Sequence, residues 1–139
     1  MIAYLDSSVL LRIVLGQRDA LAEWKAIRGG VASALVEVEC LRTLDRLRLR
    51  LRLSDREIVS RRAAVFGLLE NLEVVAADRP VLARAAQPLP TELGTLDAIH
   101  LATALLWREG VEADLVMATH DGALATAARA SDFRVVGVA

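Results

Sequence analysis

Six acids stand beside or inside apolar stretches: Asp6, Glu37, Glu39, Asp78, Asp97 and Asp121. Asp6 poses the problem most sharply. The apolar run from Ile2 to Leu5 ends on it, and a second apolar stretch, "SSVLLRIVL", follows at once. Burying an unpaired carboxylate costs several kcal/mol, roughly. Either hydrogen-bond donors fill its lone pairs or a positive charge sits beside it. Acids gathered within a few ångströms repel one another unless a cation fills the centre. A set of oxygen ligands without cysteine or paired histidine selects a hard ion, Mg2+ or Mn2+. Such ions bind phosphates, activate water and stabilise a leaving oxygen. The expectation is that a divalent cation neutralises Asp6.

Whether these acids meet depends on the elements that carry them. "MIAYL" reads as a strand, followed by a helix capped by Ser7 or Ser8 and ended by Gly16. "DALAEWKAIRGG" reads as a second short helix stopped by Gly29 and Gly30, and Val31 to Ser33 as a brief strand. "RLRLRLRL", Arg46 to Leu53, alternates like a strand, but it continues a helical pattern from Leu35 and contains no β-branched residue. It ends at "SDRE", where Ser54 and Glu57 form a capping box for the next helix. A helical hairpin is therefore expected.

"EVVAA", "DLVMAT" and "FRVVGV" read as strands, with helices over "DRPVLARAA", "TLDAIHLATALLWREG" and "GALATAARAS". Thr95 is the expected cap of the "TLDAIH" helix and Gly110 its end. Strands alternate with helices, and no strand is an evident hairpin partner of the next. This predicts one α/β domain over residues 1–139. Its architecture is a three-layer α/β/α sandwich on a mostly parallel sheet of about five short strands.

In such sheets, sites form beyond the carboxyl ends of the strands. Asp6 ends the first strand, Glu37 and Glu39 follow the second, Asp78 follows the third and Asp121 the fourth, while Asp97 opens a helix. Each acid also has a plain reading as a helix cap or first-turn charge, Asp78 and Asp121 above all. Glu37 and Glu39 face opposite ways on a helix, about 200° apart. Glu37 falls among Cys40, Leu41 and Leu44, so periodicity nominates it as the costly acid without settling the choice.

Formal net charge is −1, so the chain as a whole is not a polyanion binder. Sixteen of its 17 basic residues are arginine, and Lys25 is the exception. Eight arginines against three acids between Arg42 and Arg62 make a local surplus of five positive charges. That strip, with Arg46, Arg48, Arg50 and Arg52 at its centre, is a solvated surface, a docking face for a partner, or a contact for a polyanion such as nucleic acid. Hydrophobic residues make up 55% of the chain, yet no segment reaches the ~18 uncharged apolar residues of a membrane span. The start lacks a basic n-region, and a lone cysteine, Cys40, favours a reducing cytoplasm. Walker A and glycine-rich dinucleotide motifs are absent, so no nucleotide cofactor is expected.

A receiver-like phospho-acceptor would want an acidic pair after the first strand and a late lysine, but Ser7 and Ser8 follow Asp6 and the one lysine is Lys25. An Asp-x-Asp phosphatase is disfavoured by Ser8. A non-catalytic interaction module would have no need of the acids.

"YLDSSVLL", "SALVEVECLRTL", "LDAIHLATAL" and "ATHDGAL", in that order over nearly the whole chain, resemble the PIN-domain family. In particular they resemble the VapC ribonuclease toxins of bacterial type II toxin–antitoxin pairs. The resemblance implies a metal-dependent endoribonuclease whose acids fall on Asp6, Glu39, Asp97 and Asp121, and it prefers Glu39 to Glu37. It implies Mg2+ or Mn2+ as cofactor, an RNA substrate, a cognate VapB-type antitoxin that buries the site, and a homodimer. Ser7, Thr119 and Arg42 are its supporting residues. His100, on the same helical face as Asp97, is expected to support the site or pack beside it.

Overall fold

The computed structural model describes residues 1–138. Five parallel strands form one sheet in the order β3-β2-β1-β4-β5. These are β1 (Ile2–Leu5), β2 (Gly29–Ser33), β3 (Glu73–Val75), β4 (Val116–Ala118) and β5 (Val135–Val136). The helices are α1 (Ser7–Val14), α2 (Leu35–Leu51), α3 (Asp55–Glu70), α4 (Arg79–Ala85), α5 (Thr95–Val111) and α6 (Gly122–Ala130). The expected three-layer α/β/α architecture is present.

The two faces of the sheet follow from the period of two in a strand. Ala3 and Leu5 of β1, Ala32 of β2, and Val116 and Ala118 of β4 share a core with Val9, Leu10, Val36, Cys40, Leu44 and Val65 of α1 to α3. Tyr4, Val31 and Met117 point the other way, into a core with Leu101, Leu105, Leu124 and Ala128 of α5 and α6. Cys40 is fully buried, and burial pushes its thiol pKa up to about 12, with the charges of Glu39 and Asp6 adding to the effect.

"RLRLRLRL" is helical down to Leu51, and α2 packs antiparallel on α3 as a hairpin. Ser54 caps α3 by accepting from the Glu57 N–H at 3.2 Å. Its hydroxyl donates in turn to Glu57 Oε1 at 3.1 Å. Gly16, at φ +64°, closes α1: its N–H bonds the Ile13 carbonyl while that of Gln17 bonds Arg12.

Several boundaries differ from expectation. Asp6, not Ser7 or Ser8, caps α1. "DALAEWKAIRGG" makes only a 3-10 turn over Ala22–Ala26, and Gly29 and Gly30 belong to β2. A Cβ on Gly30 would stand 2.4 Å from Leu72 Cδ2 and 3.0 Å from Leu5 Cδ1. Gly30 is therefore a packing glycine, there to admit a leucine rather than to stop a helix. Gly94, not Thr95, occupies the N-cap of α5, without a side-chain bond. The helix runs past Gly110 to Val111, and Glu112 takes the left-handed turn at φ 54°. Among the described residues no helix is long and apolar enough to cross a membrane.

Candidate active site

The sheet order dictates where chemistry can assemble. After β1 the chain moves toward β2 and β3, and later crosses back to place β4 on the other side of β1. Helix α1 after β1 lies on one face and α6 after β4 on the other. The strand ends therefore part between β1 and β4, at the switch point where open α/β sheets bind ligands. Leu5 pairs in register with Ala118, so Asp6 and Thr119 leave the sheet side by side.

Asp6 is 4% exposed, and its charge is answered by donors. Its Oδ1 accepts from Ser8 Oγ at 2.5 Å and from the Val9 N–H at 3.3 Å. Its Oδ2 accepts from Thr119 Oγ1 at 2.6 Å. A carboxylate offers about four lone-pair directions, so roughly one is left over. Hydroxyl and backbone donors thus meet the hydrogen-bonding demand of the buried carboxylate, while its negative charge and one free direction remain. The serine that bonds Asp6 is Ser8, which also accepts from the His120 N–H at 2.9 Å. Ser7 lines a groove beside Glu39 instead.

Asp121 caps α6, accepting from the Leu124 N–H at 2.9 Å, and its own N–H donates to Thr119 Oγ1 at 2.9 Å. Thr119 thus ties the first and the last of the four acids together. Asp97 is half-buried in the first turn of α5. Its carboxyl is held above the ordinary carboxylate range, first by burial and then by the charge of Asp121. Asp6 and Glu39 push the same way, and His100 opposes them. Three acids from other elements therefore bear on Asp97. Among the described residues, no three of the His, Cys, Asp and Glu side chains are drawn together into a ready-made metal cage. Asp6, Asp121 and Glu39 are each restrained by hydrogen bonds of their own.

Glu39 and Glu37 are separated plainly. Glu37 is exposed, whereas Glu39 accepts from His100 Nε2 at 2.7 Å. Helix α2 has two contact sides. Val36, Cys40 and Leu44 face the sheet, while Leu35 packs toward α4 and α5. Glu39 lies on the flank turned to α5, which a single-face periodicity does not detect. Asp78 caps α4 through the Val81 N–H at 3.2 Å, its plain reading.

The arginines do not act as one patch. Arg42 and Arg46 line a groove with Ser7, Val38, Glu39 and Leu96, of about 400 Å³. Arg48 and Arg42 both pair with Asp45, at 3.0 and 3.2 Å, and together hold its carboxyl below the usual range, Arg48 foremost. Arg50 and Arg52 are exposed, and Arg52 is the left-handed cap of α2, some 20 Å along the axis from Glu39.

The PIN domain family model matches residues 3–130. The chain belongs to the PIN-domain family. Among relatives of this PIN domain is Ribonuclease VapC46 of Mycobacterium tuberculosis, strain ATCC 25618 / H37Rv. It is 36% identical over 136 residues, covering 96% of this chain and 95% of the relative. A solved structure of FitAB bound to an IR36 DNA fragment superposes with a TM-score of 0.71 at 20% identity, covering 97% and 93% of the two chains. VapBC2 from Rickettsia felis, bound to a promoter DNA fragment, gives 0.67 at 11% identity, covering 97% of each chain. These two likenesses speak to the PIN fold.

Two polar residues of this PIN domain escaped the sequence reading. Ser8 was passed over for its neighbour, although a residue two after a helix N-cap is well placed to reach back to it. Tyr4 sits inside an apolar strand and looks like core. Its hydroxyl meets His100 Nδ1 at 2.6 Å, and no local pattern announces a partner 96 residues away.

Proposed function

We propose that this PIN domain is a metal-dependent endoribonuclease and the toxin of a type II toxin–antitoxin pair. The observation that supports the proposal is that Thr119 ties Asp6 and Asp121 together at the switch point, with half-buried Asp97 within the electrostatic reach of Asp121, Asp6 and Glu39. Kinship with a protein named Ribonuclease VapC46 supplies the substrate class.

The donor set fits a hard divalent cation. It is made of carboxylate oxygens, and their mutual repulsion is what such an ion relieves. Asp6, Asp97, Asp121 and Glu39 would hold Mg2+ or Mn2+. When bound, such an ion acidifies water and neutralises charge developing at phosphorus. The chain's own residues do the rest. Ser8 and Thr119 fix Asp6 in one orientation, and the α6 N-terminus fixes Asp121. Arg42 and Arg46 offer guanidinium groups to the phosphates of a strand lying in the groove beside Glu39. Exposed Val38 and Leu96 give that groove apolar walls for a base.

The antitoxin partner is supported by a neighbour of this fold solved as a toxin–antitoxin complex from Klebsiella pneumoniae. The homodimer and a cytoplasmic location belong to the same reading. In the test, purified protein is incubated with total RNA in Mg2+, and the new RNA ends are sequenced. Ends concentrated at one or a few positions are expected. A digest indistinguishable from buffer would sink the proposal.

The groove makes a second prediction. Arg46→Gln should weaken RNA cleavage by roughly tenfold, about 1.4 kcal/mol, chiefly through KM. Arg50→Gln, one turn farther out and exposed, should change it by less than about twofold. Equal effects at both positions would argue for a diffuse basic surface.

A further inference from the structure

Buried His100 is 1% exposed and bonded on both ring nitrogens. Nδ1 meets the Tyr4 hydroxyl at 2.6 Å, and Nε2 meets Glu39 Oε1 at 2.7 Å. Glu39 as a carboxylate only accepts, so Nε2 carries a hydrogen. In the neutral ring Nδ1 is then the acceptor, and the Tyr4 O–H donates to it. The two rings meet edge to face, 5.8 Å between centroids at 72°, which fixes the imidazole plane. The chain Tyr4 to His100 to Glu39 joins β1, α5 and α2, from the centre of the sheet to the rim of the acidic site.

We infer that His100 is a positioning residue, its ring plane held by Tyr4 and its Nε2–H turned to Glu39, that holds the Glu39 carboxylate in the orientation the metal site requires. The inference rests on the proposed function and deepens it. Three arguments favour the role over plain packing. Glu39 is only partly buried on the flank of α2 turned to α5, and without a partner its side chain would sample several rotamers. His100 satisfies one oxygen, Oε1, and leaves the other outside this bond. Finally, its Nε2 is spent on the side-chain carboxylate of another helix rather than on a backbone carbonyl, so the bond fixes a member of the acidic set. Partners of this kind around ligating groups are worth about 10–100-fold in metal affinity.

The test measures Mn2+ affinity by calorimetry and thermal stability by melting, in parallel, on the full chain. Gln can keep an N–H toward Glu39 where Nε2 stood, and Leu fills the space without a donor. His100→Leu should bind Mn2+ about 10–100-fold more weakly. His100→Gln should stay within about threefold of wild type. Tyr4→Phe, which keeps the ring and removes the donor, should weaken binding by about three- to tenfold. RNA cleavage at limiting Mn2+ should fall in the same order. A packing residue would instead lower the melting temperature of the variants and leave the affinity alone. That pattern, or wild-type affinity in a folded Leu variant, overturns the inference. If the Leu variant does not fold, Tyr4→Phe decides, and unaltered affinity there overturns it equally. Wild-type protein that cuts RNA and binds Mn2+ while the variants match it defeats the relay alone. Wild-type protein that neither binds Mn2+ nor cuts RNA defeats the proposed function and the relay with it.

Discussion

In excess EDTA, RNA cleavage should fall to background, and added Mg2+ should restore it. Asp97→Asn should reproduce most of that loss with metal present. Lewis-acid stabilisation is worth several kcal/mol, and losing about 3–4 kcal/mol lowers the rate several hundredfold. Full activity of the wild type in EDTA would reject the metal scheme. The same substitution carries a second expectation of opposite sign. Asp97 is held above the ordinary carboxylate range, by burial first and by Asp121 next. A carboxyl raised by folding keeps a proton that the unfolded chain has lost. Without metal, stability therefore declines as pH climbs from the unfolded carboxylate range through the folded one, and the deficit persists at neutral pH. Asparagine has no such charge. The helix dipole, which favours an acid at this position by about 0.3–1 kcal/mol, works against the gain. Burial and three neighbouring acids are expected to outweigh it. In EDTA at neutral pH, Asp97→Asn should melt no lower than wild type, with the difference narrowing toward pH ~4. A variant that is inactive because it is unfolded would show the reverse.

Thr119→Val should be the most costly single change to stability near the site. The substitution keeps the shape and removes a hydroxyl that donates to buried Asp6 and accepts from the Asp121 N–H. A hydrogen bond to a charged group is worth about 1.5–3 kcal/mol, and the orphaned amide adds to the loss. A total near 2–4 kcal/mol is expected, visible as a lower urea midpoint at unchanged slope. Thr119→Ser should recover most of it. Saturating Mg2+ should recover part of it in the valine variant, because a cation then answers the charge the hydroxyl left. A valine variant as stable as wild type would mean that Asp6 is compensated elsewhere.

The architecture was readable because alternating strand and helix patterns constrain a chain strongly. The three-layer sandwich, the parallel sheet and the helical nature of "RLRLRLRL" all followed from period and propensity. Glycines misled where their reason was tertiary. Gly30 reads as a helix stop, but it is there because Leu72 needs the room of a missing Cβ. The acids at the strand ends could be found one by one. Their electrostatic company could not. Of the donors to Asp6, Ser8 is local, but Thr119 lies 113 residues away and only the β1–β4 register brings it alongside. Glu39 was preferred by resemblance alone, since its partner His100 lies 61 residues away on a helix whose angle to α2 no periodicity encodes.

Strand β1 sits at the middle of the sheet, and one of its neighbours, β4, spans Val116–Ala118 of a 139-residue chain. During synthesis that flank of β1 stays vacant until β4 has been made, and Thr119 and Asp121 follow β4. A nascent or prematurely terminated product lacks the hydroxyl that settles Asp6 and one of the four acids. Under the proposed function, a product that stops before β4 should cut no RNA.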